Sequence, residues 1–169
     1  MKHNLIIKYK IQLESSSGQI LYIPPGFEDR FWDWFDKKSY MFDSKNIRKN
    51  LRKTSIPIAN NFCFKNSYRI AKGFIKRLFY FEGFSYSAST DFALKHAFNV
   101  CKHGKVNDYS LNNKHDEKQD VYIGVKIPLT FARKVYQEHG DYTHAQDSLL
   151  VPYFMYQLGL ENYLDYTSP

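Results

Sequence analysis

The chain has 169 residues, carries 24 Lys and Arg against 17 Asp and Glu for a formal charge of +7, and is 18% aromatic. That length is one ordinary domain, able to bury roughly 70% of its unfolded surface without a disulfide or metal staple. The aromatic load excludes intrinsic disorder, and no run approaches the roughly 18 apolar residues of a membrane helix.

Met1-Lys2-His3-Asn4 leads into only three apolar residues before Lys8. A signal-peptide core needs at least about 7, so the expectation is a cytoplasmic protein with no membrane partner. Two cysteines, Cys63 and Cys101, make no disulfide framework. In a reducing compartment each is a small buried hydrophobe or a reactive thiol.

In chain order, Leu5–Leu13 alternates loosely and reads as a strand, with Gln19–Ile23 as its hairpin partner before Pro24-Pro25-Gly26. Asp29–Lys37 reads as a helix, with Phe31, Trp32 and Phe35 on one face. Lys45, Arg48, Lys49, Arg52 and Lys53 fall within nine residues. On a helix they share a face away from Ile47 and Leu51, either a solvated face or a grip for phosphates.

After the short run Ser55–Ala59, a helix is expected from Phe62 to about Leu78. Its apolar stripe is Phe64, Tyr68, Ala71, Ile75 and Leu78, and Asn61 is placed to cap it. Strands are expected at Phe79–Ser87, His96–Cys101, Lys105–Leu111 and Val121–Ile127, with Asp91–His96 as a connector or short helix. Asn112–Gln119 is a polar loop tip. Helices close the chain at Leu129–Glu138 and Ser148–Leu158. Helix, antiparallel strands, then helices is an α+β order. We divide the single domain into an N-terminal extension (1–58), a core (59–128) and C-terminal helices (129–169). There is no GxGxxG and no P-loop.

Cys63 falls near a helix start, where free N–H groups and the helix dipole favour the thiolate. A nucleophile needs a base, and the base an orienter. If Lys102-His103-Gly104 is a three-residue hairpin loop with Gly104 left-handed, Cys101 pairs with Lys105. Phe98 then faces Asp108, and His96 and Asp108 become diagonal neighbours on one sheet face, about 7–8 Å apart and bridgeable. A two-residue loop would separate them. Taken singly, the cysteine and the histidine are both at home in a core; the order Cys, His, Asp is the unusual feature. Cys101 has no base in register and reads as packing.

The stretch Asn61 to Ser110 resembles the core of the transglutaminase-like, papain-like cysteine superfamily. The residues that carry the likeness are Cys63-Phe64-Lys65-Asn66-Ser67, His96-Ala97-Phe98-Asn99 and Gly104-Lys105-Val106-Asn107-Asp108. It is also similar to small phage and bacterial proteins with a Cys-x-x-Asn helix, matched here with Tyr80-Phe81-Glu82-Gly83 and Tyr122-Ile123-Gly124-Val125. Phe98 stands where Trp is usual, and Tyr-Ser follows Asp108 where Pro-Thr is frequent.

The resemblance implies a Cys-bearing helix packed on an antiparallel sheet. It implies acyl transfer at an amide: Cys63 attacks, His96 takes the thiol proton and Asp108 fixes the imidazole. The Cys63 N–H would supply half of an oxyanion hole, with Asn60, Asn61 or Gln12 as candidates for the other half. Glu82 is a candidate substrate-facing group, with a backbone or basic partner as the alternative. The leading reading is therefore a cysteine-dependent amide hydrolase or acyltransferase (peptidase, deamidase or transglutaminase-like). It needs no cofactor and no metal, takes a protein or peptide substrate, and in a phage-encoded form would act in the host cytoplasm. The alternative is a non-catalytic protein that uses the basic stretch to hold nucleic acid or an acidic protein.

Overall fold

The computed structural model describes residues 1–15, 21–48, 51, 54–59, 62–110, 120–138 and 148–160. Among these residues five helices and five strands follow one another: α1 (Lys2–Ser15), α2 (Glu28–Lys38), β1 (Tyr40–Asp43), α3 (Cys63–Gly73), β2 (Leu78–Ser87), β3 (Phe92–Cys101), β4 (Val106–Asn107), β5 (Val121–Lys126), α4 (Leu129–Glu138) and α5 (Leu150–Gln157). The expected α+β class is the one observed.

The strands form one antiparallel sheet in the order β1-β5-β2-β3-β4. It curls until its two edges meet. Beyond β1 the chain turns, and Ile47 bridges Val106 of β4 in the parallel sense. The Val106 N–H donates to the Asn46 carbonyl at 2.8 Å, and the Arg48 N–H donates to the Val106 carbonyl at 3.1 Å. Side chains alternate across a strand, so each strand serves two cores. Phe42, Phe81, Phe98, Val100, Val106 and Tyr122 fill the inside of the curl. Tyr80, Phe84, Ala97, Ile123 and Val125 point outward and are covered by helices. Gly83 and Gly124 are partners across β2 and β5. A Cβ on Gly83 would stand 2.0 Å from the Ile123 carbonyl oxygen, so only glycine allows the two strands to pass this closely.

Residues 2–15 form a helix and not the expected strand. Leu5, Ile6, Tyr9 and Leu13 recur at helical spacing and pack on the core, while Ile7 and Ile11 face out. The Tyr9 ring stacks on Phe84 with centroids 4.1 Å apart. With α1 helical, no hairpin forms; residues 21–24 are irregular, and 16–20 lie outside the described residues. The expected helix at 29–37 is present, with Phe31 and Phe35 buried.

Helix α3 is shorter than expected. It stops at Gly73, where the Phe74 N–H turns back to the Ile70 and Ala71 carbonyls. The Arg77 and Leu78 N–H groups then share the Phe74 carbonyl, and Ile75 leaves the apolar stripe to become exposed. Phe92 to Lys95 extend β3 and are not a connector, because the whole of β3 pairs with β2. Val121–Lys126, Leu129–Glu138 and Leu150–Gln157 match their expected elements to within two residues.

Candidate active site

The 102–104 turn decides whether the site exists. Gly104 has φ 72°, its N–H donates to the Cys101 carbonyl at 2.9 Å, and the Cys101 N–H donates to the Lys105 carbonyl at 2.9 Å. This is the three-residue loop. The register that follows pairs Val100 with Val106 and Asn99 with Asn107. The next step places Asp108 beside Phe98, on the inner face that His96 shares. His96 Nε2 and Asp108 Oδ2 are 2.6 Å apart, and both side chains are only 6% exposed.

Strand β4 ends at Asn107, so among the described residues the ladder on this edge of β3 stops short of His96. The first turns of α3 come alongside this point. Asn66 holds them there: its side chain brackets the Ala59 backbone, accepting from the N–H at 3.1 Å and donating to the carbonyl at 2.7 Å, and it also reaches Ser110 Oγ at 3.5 Å. Ser67 Oγ donates to the Ala97 carbonyl at 2.8 Å, and Asn99 Nδ2 donates back to the Ser67 carbonyl at 2.9 Å. The helix is thereby pinned to the strand one residue from His96. Cys63, half-buried, is the first residue of α3.

The electrostatics form one coupled set. Burial by itself would lower the proton affinity of His96; the Asp108 charge and the neighbouring Cys63 more than reverse this, and the imidazole ends well above its usual range. Burial would raise the Asp108 carboxyl. The His96 charge and hydrogen bond, the Ser110 N–H at 2.9 Å and the Tyr122 hydroxyl at 2.9 Å hold it below the usual carboxylate range instead. Tyr122 in turn is pushed well above a normal phenol by burial and by Asp108, so it remains a donor. With Nε2–H committed to Asp108, Nδ1 is the ring nitrogen left for the thiol. The tight contact is imidazole to carboxylate, and the Cys63 thiol acts on the same ring.

The first helical hydrogen bond of α3 runs from the Asn66 N–H to the Phe62 carbonyl at 2.8 Å. The N–H groups of Cys63, Phe64 and Lys65 therefore have no acceptor within the helix, and Phe62 offers no side-chain cap. These are donors suited to a developing oxyanion.

Other candidates are not at this place. Gln12 lies on α1 with both ends of its amide committed to Ala93: Nε2 donates to the carbonyl at 2.6 Å, and Oε1 accepts from the N–H at 3.0 Å. These two bonds hold the amide at Ala93 near the start of β3, three residues before His96. Asn60 and Asn61 lie outside the described residues.

Glu82 is fully buried on the helix-facing side of the sheet, so it does not face substrate. It accepts from the Tyr80 hydroxyl at 2.5 Å and the Ser148 hydroxyl at 2.6 Å. Lys45 lies in a turn and Arg48 directly after the Ile47 bridge, not on a helix, because residues 46–48 are used to close the sheet. Lys49, Arg52 and Lys53 lie outside the described residues, as does the 112–119 loop. Sequence reasoning did not assign roles to Tyr122, Asn66, Ser67 and Ser110. The alternation of β5 places Tyr122 on the inner face, and that pattern was the available signal.

The chain matches no family model, no curated protein and no solved structure. Among the described residues, no helix is long and apolar enough to cross a membrane, and no three His, Cys, Asp or Glu side chains cluster as a metal site would require.

Proposed function

We propose that the protein is a cysteine-dependent acyl-transfer enzyme acting on amides, on a core of the papain-like, transglutaminase-like kind. The observation that carries this reading is the buried His96–Asp108 contact of 2.6 Å beside a thiol at the start of α3. A merely structural histidine has no need of an ionised carboxylate and a thiol on the same ring.

The chemistry follows from the atoms. His96 Nδ1 takes the Cys63 proton, and Asp108 stabilises the imidazolium through Nε2–H. Cys63 Sγ bonds to the amide carbonyl carbon, and free N–H groups at the start of α3 hold the oxyanion. The tetrahedral intermediate collapses with cleavage of the C–N bond, and His96 returns the proton to the departing amine. The thioester then loses its acyl group to water or to an amine, with His96 as the base. A protein or peptide amide is the substrate class proposed.

The test is a p-nitrophenyl ester burst with mass detection of the acyl-enzyme. One nitrophenolate per chain, a matching mass increase on Cys63, and loss of both in Cys63→Ala and His96→Ala are expected. A burst unaffected by His96→Ala sinks the reading.

A further inference from the structure

A row of cations distant in sequence lies at the far end of α3 from Cys63. An 11-residue helix places that end about 16 Å away. Leu78 pairs with Cys101, which sets Arg77 beside Lys102 where the two strands meet. Lys102 leads round the tight turn to Lys105, whose Nζ donates to the Lys45 carbonyl at 2.6 Å. On the other side of Arg77, Lys126 Nζ sits 3.7 Å above the ring of Phe79. Lys126, Arg77, Lys102, Lys105 and Lys45 thus follow one another along this end, and all but the half-buried Lys105 are exposed.

Among the described residues, none of these cations is in an ion pair. The ion pairs among the described residues lie elsewhere: Lys2 and His3 with Asp36, Lys8 with Asp91, Lys10 with Asp29, Lys134 with Glu138 and His96 with Asp108. Asp43, two residues before Lys45, accepts from the Lys45 backbone N–H at 2.9 Å. Cations that have no ion pair among the described residues repel one another, and a polyanion relieves that repulsion.

Aromatic rings accompany the charge. Phe79 lies half-buried under Lys126. Tyr40 is 60% exposed, and its ring meets Phe81, the pairing partner of Lys126, at 6.0 Å. Cations that track a backbone, next to rings on which bases stack, are the means by which proteins hold single strands without reading sequence. An acidic protein would use the cations and leave the rings idle.

We propose that this end of the sheet binds single-stranded nucleic acid, independently of the Cys63 site. The experiment uses the full chain as Cys63→Ser, so that the acyl-transfer reading does not enter. Fluorescence anisotropy with a labelled 20-nucleotide strand is followed from 50 to 300 mM KCl. Five phosphate contacts give a slope of log K against log salt of about −3.5, at about 0.7 per contact. Arg77→Gln with Lys102→Gln and Lys126→Gln removes three and should flatten the slope to about −1.4. Tyr40→Ala should weaken binding at least fivefold at every salt concentration without changing the slope. Lys102→Gln alone, at an exposed turn, keeps the test open if the triple variant fails to fold; it should cost about 0.7 of slope.

Several outcomes overturn the proposal. One is no salt-dependent binding at 50 mM KCl. Another is an equal loss of slope in Arg30→Gln with Lys134→Gln, which carry charge on α2 and α4. Polyglutamate displacing the strand at equal charge points to an acidic protein instead. A duplex that binds more tightly than the strand removes the single-strand assignment.

Discussion

His96 Nε2 and Asp108 Oδ2 lie 2.6 Å apart, and the loop that sets their register is the one containing Gly104. A sheet side chain faces the opposite way after a one-residue slip. The left-handed Gly104, φ 72°, therefore fixes which face Asp108 occupies. The site depends on a turn that contributes no atom to the chemistry.

The first prediction concerns Cys63. Iodoacetamide alkylation is measured against pH, with Cys101→Ser as common background. A thiol paired with an imidazole reacts well below pH 8.5, the region where a free thiol titrates. The wild-type pairing should keep alkylation fast at pH 6.5, and His96→Ala should slow it at least tenfold there while leaving the rate at pH 9.5 within threefold. Equal rates for the two proteins at pH 6.5 would show that no thiolate–imidazolium pair forms.

The second concerns stability. The folded His96 is raised above its ordinary 6.5, so its contribution is complete below that value and is lost as pH rises through the folded one. The folded Asp108 is lowered below 3.8, so its contribution is complete above that value and is lost as pH falls through the folded one. The pair therefore stabilises most between about pH 4 and 6.5. Asp108→Asn should cost about 3 kcal/mol there, the scale for stranding a buried charge, and less at pH 9.5 than at pH 5.5, since the contribution of His96 only declines as pH rises. Urea midpoints at pH 5.5 and 9.5 check this; a cost that does not change with pH contradicts it.

The α+β class, the three-residue hairpin loop and the β3–β4 register that follows from it were legible because strong local signals agreed with the global fold. Leu5–Leu13 was not, because Ile7, Tyr9, Ile11 and Leu13 fit a strand period while Leu5, Tyr9 and Leu13 fit a helix. Only the packing of Tyr9 on Phe84 decides between them. The closure of the sheet by Ile47 was illegible for a different reason: the Lys/Arg spacing around it has helical periodicity, while its partner Val106 lies 59 residues away. Gln12 looked like a free amide because nothing in the sequence reveals that the Ala93 backbone uses both of its ends. The Cys, His and Asp positions could be read because a helix start and a tight turn are both local features.

The third prediction concerns Tyr122, whose hydroxyl donates to Asp108 Oδ2 at 2.9 Å. A hydrogen bond to a charged group contributes about 1.5–3 kcal/mol. Tyr122→Phe should lower stability at pH 6 by about 2 kcal/mol, and much less when Asp108 is already Asn. The double-mutant cycle should give a coupling of at least about 1 kcal/mol. Additive costs would mean that the phenol contributes packing alone.

The last prediction separates Glu82 from the active site. Burial raises its carboxyl from 4.5 to about 7, against the opposing pull of the Ser148 and Tyr80 hydroxyls, the Leu149 N–H and the charge of Lys95. A group raised on folding stabilises below its unfolded value and loses that contribution as pH rises through the folded one. The wild type should therefore lose about 3 kcal/mol of stability from Glu82 between pH 4.5 and pH 8. Glu82→Gln keeps the size of the side chain and cannot ionise. Across the same interval its stability should change less than that of the wild type by about that amount, and at pH 8 it should equal or exceed it. Because Glu82 faces the helices and His96 faces the inside of the curl, the Cys63 alkylation profile should be unaltered. Denaturant melts at pH 4.5 and pH 8 decide the stability claim, and a matching loss in Glu82→Gln would overturn it. A shifted alkylation profile would instead show that Glu82 communicates with the thiol by way of Tyr80, which is bonded to Glu82 and feels Cys63.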